Sequence, residues 1–341
     1  MNDFFGTVRR FLLDYLPNQR CLAENTIRSY TYTLNLFVSY VLEEKKVRAR
    51  KFTFSCVDKA LLLDYLDWLE TVRGCSASTR NQHLMALRSF LKYAGHSDCT
   101  QMALYLSACD IPIKKSQTKT VQFLSESALT ALLQQPDVST QKGLRNLMFM
   151  ILMYDTAARC NEILSMRVCD LQLDVKNPIA YLHGKGRKVR RVPLLQKTVR
   201  HCRQYLRKFH PDEGEKSEEP LFYTIRDGAR HRMSPDAVAV FLQKYGKAAA
   251  KICPEVPEHI HPHMIRHTRA MHLYQSGMPM DLLSQYLGHA QIETTMIYAY
   301  ADTEMKRAAI RKADAVRNSN PVPDEIWADD DEMILKLSGL R

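Results

Sequence analysis

The chain has 341 residues, 45% of them apolar, with a formal net charge of +11 and a pI near 9.2. That length exceeds what one core usually serves and predicts two domains. The basic excess favours a polyanionic partner, because each phosphate neutralised releases condensed counterions. The longest apolar run, Leu147 to Tyr154, is far too short for a membrane span, and the opening Met1-Asn2-Asp3-Phe4-Phe5-Gly6 carries no signal-peptide pattern, so no membrane partner is expected and the protein is predicted to be cytoplasmic.

Charge is distributed unevenly. Residues 1–120 hold 17 Lys and Arg against 11 Asp and Glu, whereas residues 321–341 hold 2 against 6. Both candidate domains are therefore basic and the acidic excess is confined to the end, as expected if two modules grip a nucleic acid and the tail docks elsewhere. The nine cysteines are odd in number and form no CxxC pair, which predicts reduced thiols rather than a disulfide framework or a zinc knuckle.

The first helix is predicted from Ile27, Tyr30, Leu34, Phe37, Val38, Val41 and Leu42, which recur at three- and four-residue intervals behind a capping candidate in Asn25-Thr26. A second is predicted from Ser78 to Gly95, with Leu84, Leu87, Leu91 and Ala94 inward. Arg80, Gln82, Arg88 and Lys92 are left on its other faces, where Arg80 and Arg88 become candidate DNA contacts. Residues 1–110 are read as one helical domain. Residues 111–122 lack helical periodicity and carry three lysines, which predicts a linker along a phosphate backbone.

A second domain is predicted over residues 123–320. It opens on a serine-capped helix at Phe123-Leu124-Ser125-Glu126-Ser127-Ala128 and continues through an apolar run containing Met148, Ile151 and Leu152 towards Arg159. Ile179–Gly184 and Val189–Leu194 are β-prone and flank Gly184-Lys185-Gly186-Arg187-Lys188, which reads as a hairpin with a basic tip. Lys185 is a candidate proton donor there, and Arg187, Lys188 and Arg190 are candidate DNA contacts. Further helices are expected at about 195–209, 234–252, 263–275, 280–287 and 292–313, with Gly277-Met278-Pro279 and Gly288 as breaks. His259, His261 and His263 alternate among prolines, which predicts an extended loop and no metal site.

Two arginines, two histidines and a tyrosine stand out: Arg159, His263-Met264-Ile265-Arg266, Leu287-Gly288-His289, and Tyr298 nine positions after His289. Arginine's planar fork matches two nonbridging phosphate oxygens at any working pH. A tyrosine oxygen can attack phosphorus if a base takes its proton. These residues, their order and the Gly184-Lys185-Gly186 turn resemble the tyrosine recombinase (phage integrase) family over roughly residues 120–300.

The resemblance implies a mainly helical protein with a small β-sheet in the catalytic domain, arranged as a two-domain clamp around double-stranded DNA. It implies a covalent 3′-phosphotyrosyl intermediate formed without ATP, metal or other cofactor. Arg159, Arg266 and His289 would hold the phosphate, Tyr298 would attack, His263 would accept its proton and Lys185 would protonate the leaving 5′ oxygen. Glu162, one helical turn beyond Arg159, would orient a cationic or imidazole neighbour. Tyr300 points roughly 200° away from Tyr298 on a helix and is the rival nucleophile.

About 20 residues precede the first long helix, which favours the simpler layout of the Xer branch over integrases with an additional arm-binding domain. Pro321-Val322-Pro323 sets off a tail, residues 321–341, in which Ile326, Trp327, Met333, Ile334 and Leu337 form a short apolar face; the resemblance implies docking on a neighbouring protomer within a tetramer on DNA. Integration, excision or transposition of a mobile element is the favoured role. Chromosome-dimer resolution is the alternative, followed by a type IB topoisomerase and a noncatalytic DNA-binding protein. A DNA-bound recombinase would associate with the nucleoid.

Overall fold

The computed structural model describes residues 3–115, 121–184, 188–214, 216–289, 291–301, 307, 311, 335 and 336. Contacts divide the chain into two compact units, Met1–Lys119 and Thr120–Arg341. Both are built mainly of helices, with small antiparallel sheets in the second.

The first unit packs α1 (Asp3–Arg10), a π-helical segment (Phe11–Gln19), α2 (Glu24–Glu43), α3 (Lys59–Thr71), α4 (Ala77–Ser97) and α5 (Met102–Cys109). Its core is aromatic, with Phe4, Phe11, Phe37, Phe52, Tyr65 and Phe90 buried among leucines. The anticipated first helix is α2, although it begins at Glu24 and its N-cap, Ala23, makes no side-chain capping bond. Helix α4 starts behind Ser76, whose hydroxyl accepts from Thr79 N, and Leu84, Leu87, Leu91 and Ala94 do face inward. It does not stop at Gly95. A Cβ at that position would lie 3.1 Å from Met102 Cα, so the glycine marks the close approach of α5 rather than a helix end.

The expected linker begins inside this unit. Asn81 brackets Lys114 by donating to its carbonyl and accepting from its amide, and Lys114 Nζ lies 2.6 Å from Glu70 Oε2. Lys115 is the last described residue before position 121.

The second unit opens with α6 (Glu126–Leu133), capped by Ser125 as anticipated, and α7 (Gln141–Thr156). After α8 (Cys160–Ser165), the strands β1 (Leu171–Gln172), β2 (Ile179–His183) and β3 (Val189–Pro193) form an antiparallel sheet in that order. The β2–β3 register runs from Ile179↔Pro193 to His183↔Val189. Helix α9 (Gln196–Phe209) leads to a second hairpin, β4 (Tyr223–Arg226) and β5 (Ala229–Arg232). Sequence reading passed over this hairpin, although its Asp227-Gly228 turn carries positive φ at both residues, as a tight primed turn requires. Helices α10 (Pro235–Ala250), α11 (Pro262–Gln275), α12 (Met280–Leu287) and α13 (Met296–Ala301) complete the unit.

The expected helix over 292–313 is broken at its start, with a 3-10 turn at Ile292–Thr294 before α13. Most of its remainder, and all of the tail's apolar face, lie outside the described residues. Among the described residues no helix is long and apolar enough to cross a membrane. All nine cysteines are free.

Candidate active site

The site is built where α7 ends. Ala157 terminates that helix in the left-handed conformation (φ 47°), an uncommon state for a residue bearing a Cβ, and such departures concentrate at functional sites. The turn sends the chain straight into Arg159, the N-cap of α8. The Glu162 carboxylate reaches back to cap that helix, taking the Arg159 amide at 2.8 Å through Oε2 and the Arg159 guanidinium at 2.8 Å through Oε1. With 42% of its side chain exposed, Arg159 keeps a face open to an incoming anion.

Arg266 lies deeper, 3% exposed, on the first turns of α11. Its Nη1 donates to Ala157 O and its Nη2 to Leu287 O, both at 2.7 Å, so this single side chain ties the ends of α7 and α12 together. Burial lowers its pKa to about 10, with Arg159 and Arg190 pushing the same way and Glu162 opposing, which leaves it charged at neutral pH.

His289 follows Gly288, the left-handed cap of α12 (φ 66°). Arg266 Nη2 lies 3.0 Å from His289 Nε2, and a guanidinium only donates, so Nε2 accepts. The neutral ring therefore carries its proton on Nδ1 and donates to Thr295 Oγ1 at 2.8 Å. Burial and then the surrounding arginines hold the His289 pKa down to about 4. In this state His289 has no Nε2 proton to give a phosphate, and it gains one only if an anion replaces Arg266 as its partner.

Tyr298 sits on α13, 1% exposed, in an apolar nest formed by Ala157, Ala270, Met271, Leu283 and Leu287. Its hydroxyl shares a 2.9 Å hydrogen bond with His267 Nδ1. Burial raises the phenol pKa to about 12, against the opposing pull of Arg266 and Arg159, so the oxygen is protonated while feeling both cations. His263 stands one turn before His267 on the same helix, with ring centroids 6.4 Å apart. Burial, followed by Arg266, lowers its pKa. The side chain of Tyr300 lies outside the described residues. His261 has extended backbone in the loop before α11, as anticipated, and as that helix's N-cap it also accepts from Met264 N through Nδ1.

Sequence reasoning missed His267. Its signal was the four-residue step from His263, which puts both rings on one helical face.

At the β2–β3 tip, Lys185 and Arg187 fall outside the described residues, while Lys188 is exposed and its carbonyl closes the turn onto Gly184 N at 2.7 Å. Arg190 requires a correction. It was read as a DNA contact, but it points inward: Nη1 donates to Thr156 O (3.2 Å) and Tyr286 O (2.6 Å), and Nη2 to Glu162 Oε2 (2.8 Å). It supports the site from below.

Arg80 and Arg88 also depart from the reading. Arg80 is 3% exposed and donates to Pro112 O at 2.8 Å. Arg88 binds Ala108 O at 2.9 Å, Cys109 O at 3.0 Å and also Ile111 O, carbonyls at and just beyond the end of α5. A guanidinium committed in this way is not free to enter a groove. Gln82 and Lys92 on the same helix are exposed as anticipated.

Residues 122–305 match the phage integrase family, and residues 9–97 match the phage integrase N-terminal SAM-like domain. The chain is 30% identical over 303 residues to the putative integrase/recombinase y4rC of Sinorhizobium fredii, covering 89% of each. It is 29% identical to the tyrosine recombinase XerD of Ralstonia nicotianae, covering 88% of this chain and 91% of that one. Among solved structures, the XerH site-specific recombinase bound to a palindromic difH substrate superposes with a TM-score of 0.64 at 22% identity, covering 85% of this chain and 80% of that one. The Tn1549 transposon integrase with transposon right-end DNA superposes at 0.65 with 17% identity, covering 91% and 98%.

Proposed function

Because the chain belongs to the phage integrase family and is a tyrosine recombinase, we propose that it cleaves and rejoins duplex DNA through Tyr298. Arg159, Arg266 and His289 receive the scissile phosphate. The observation that carries this reading is the convergence of Arg266 on Ala157 O, Leu287 O and His289, which joins the Arg159, HxxR and LGH segments beside the nucleophile's helix.

As the phosphorus becomes five-coordinate, charge grows on its nonbridging oxygens. Fixed guanidinium donors stabilise that charge without reorganising. Glu162 and Arg190 hold those donors in place. Lys185 protonates the leaving 5′ oxygen and His263 takes part in proton transfer at the site. The bond formed, a 3′-phosphotyrosyl ester, is close in energy to the one broken, so religation needs no ATP, and the arginines supply the electrostatic help that a metal ion gives elsewhere.

Residues 1–110 and 123–320 each contact the DNA in this reading. The protein acts in the cytoplasm on nucleoid DNA, as a tetramer whose 321–341 tails link neighbouring protomers. The role favoured is integration, excision or transposition of a mobile element. The relatives described as XerC and XerD support chromosome-dimer resolution as the second reading.

An excision assay separates these readings. A DNA segment flanked by the candidate element ends is incubated with the protein, and circular junctions are amplified. Junction formation abolished by Arg266→Lys supports the mobile-element role, whereas exchange only at a chromosomal dimer-resolution site supports the second.

A further inference from the structure

Resting on the recombinase reading above, we propose that His267 is the group that receives the proton of Tyr298 when the phenol attacks phosphorus. His267 Nδ1 lies 2.9 Å from Tyr298 Oη, within reach for direct transfer. His263, the base suggested by resemblance, lies a full turn earlier on α11.

The hydrogen-bonded position is at the site and not remote from it. Tyr298 Oη feels Arg266 and Arg159, and α13 is moored there through Thr295, which accepts from His289 through its hydroxyl and from the Tyr298 amide through its carbonyl. His267 immediately follows Arg266 on α11, so the residue that holds the phosphate and the residue that holds the nucleophile move together.

A base must be empty before it acts, and burial followed by the neighbouring His263 and Arg266 keeps His267 neutral, with its pKa down to about 4. With Nδ1 as acceptor, its proton sits on Nε2 and the phenol donates. An arriving phosphate adds negative charge beside the ring and raises its basicity as the O–P bond forms. The step then balances. The Oη–H proton passes to His267 Nδ1, the Oη–P bond forms, the P–O5′ bond breaks, and O5′ takes a proton from the leaving-group acid assigned to Lys185. On religation the His267 proton returns to Tyr298.

The test measures covalent cleavage of a nicked suicide substrate by wild type, His267→Asn, His263→Asn and Lys185→Ala. Asparagine retains an acceptor close to the Nδ1 position but takes up no proton. His267→Asn should bind DNA as wild type does, yet cleave on the order of 100-fold more slowly, the usual lower bound for general-base catalysis. The deficit should narrow as pH rises and the phenol ionises unaided. A 5′-bridging phosphorothiolate, whose sulfur leaves without a proton, should restore Lys185→Ala but not His267→Asn.

Near wild-type cleavage by His267→Asn with the loss falling on His263→Asn overturns the proposal, as does rescue of His267→Asn by the phosphorothiolate. Should the variant not bind DNA, nitrogen-15 histidine spectra of the unsubstituted protein decide the question independently: an unprotonated His267 Nδ1 supports the assignment, and a protonated Nδ1 overturns it. Adduct formation by Tyr298→Phe would instead overturn the recombinase reading at this tyrosine, an outcome distinct from either.

Discussion

Glu162 and Arg190, 28 residues apart in the chain, meet at 2.8 Å across the floor of the site, where the carboxylate also holds Arg159. Arg266 Nη1 lies 4.0 Å from the same carboxylate. One buried anion thus anchors guanidinium groups from α8, β3 and α11, and its charge keeps them from repelling one another apart.

Glu162→Gln should therefore both destabilise and disarm the protein. Removing one partner of a buried ionic cluster costs about 3–5 kcal/mol, so a clear fall in Tm by calorimetry is expected at neutral pH. Burial acts to raise the Glu162 pKa, but Arg190 and Arg159 outweigh it and the net shift is downward. Stability from this group is accordingly present above the ordinary glutamate pKa and lost as pH falls through the depressed one. The Tm difference between wild type and variant should shrink in acid.

Arg190 and Lys188 are close in sequence and should behave oppositely. Lys188→Ala, if that exposed ammonium meets a phosphate, should reduce the slope of log affinity against log salt by about 0.9. Arg190→Ala should leave that slope unchanged while lowering the cleavage rate, because its guanidinium braces Thr156, Tyr286 and Glu162. Equal losses of slope from both variants would restore Arg190 to the DNA interface.

Arg88→Ala should act on the fold of the first unit. It leaves the carbonyls of Ala108, Cys109 and Ile111 without their charged donor, a loss of about 1–3 kcal/mol. Thermal unfolding of the variant should shift downward, with the salt slope of DNA binding preserved. An unchanged Tm together with a shallower slope would contradict the placement.

Phosphate binding should be coupled to proton uptake through His289. Its depressed pKa, about 4 in the free protein, rises when an anion replaces Arg266 at Nε2. Between that value and the ordinary histidine range the complex holds more protons than the free protein, so affinity should strengthen as pH falls from 7 towards 5.5. Calorimetric titrations in buffers of different ionisation enthalpy should register that uptake, and His289→Asn should reduce it.

Local signals carried much of this architecture. Ser125 capping α6, the β-branched flanks of Gly184-Lys185-Gly186, and Gly288 ending α12 are short-range features, and each structural element lies where they indicate. The arginines were harder, because a basic residue on a helix reads the same whether it faces water or a neighbour's carbonyls. Arg88 is committed by the packed end of α5, which sequence periodicity does not reveal. Arg190 did leave a trace: it shares a face of β3 with buried Val192 and stands opposite buried Leu182, so strand alternation turns it inward. His267 was overshadowed by the motif ending at Arg266, and its partnership with Tyr298 depends on how α13 folds back onto α11.

The most direct measurement is covalent trapping on nicked DNA carrying the element's end or crossover site, in EDTA, with wild type, Tyr298→Phe and Tyr300→Phe compared side by side. The account predicts a protein–DNA adduct with wild type and Tyr300→Phe that is absent with Tyr298→Phe. Loss of the adduct only in Tyr300→Phe, or no adduct from wild type despite confirmed binding to that site, would contradict it.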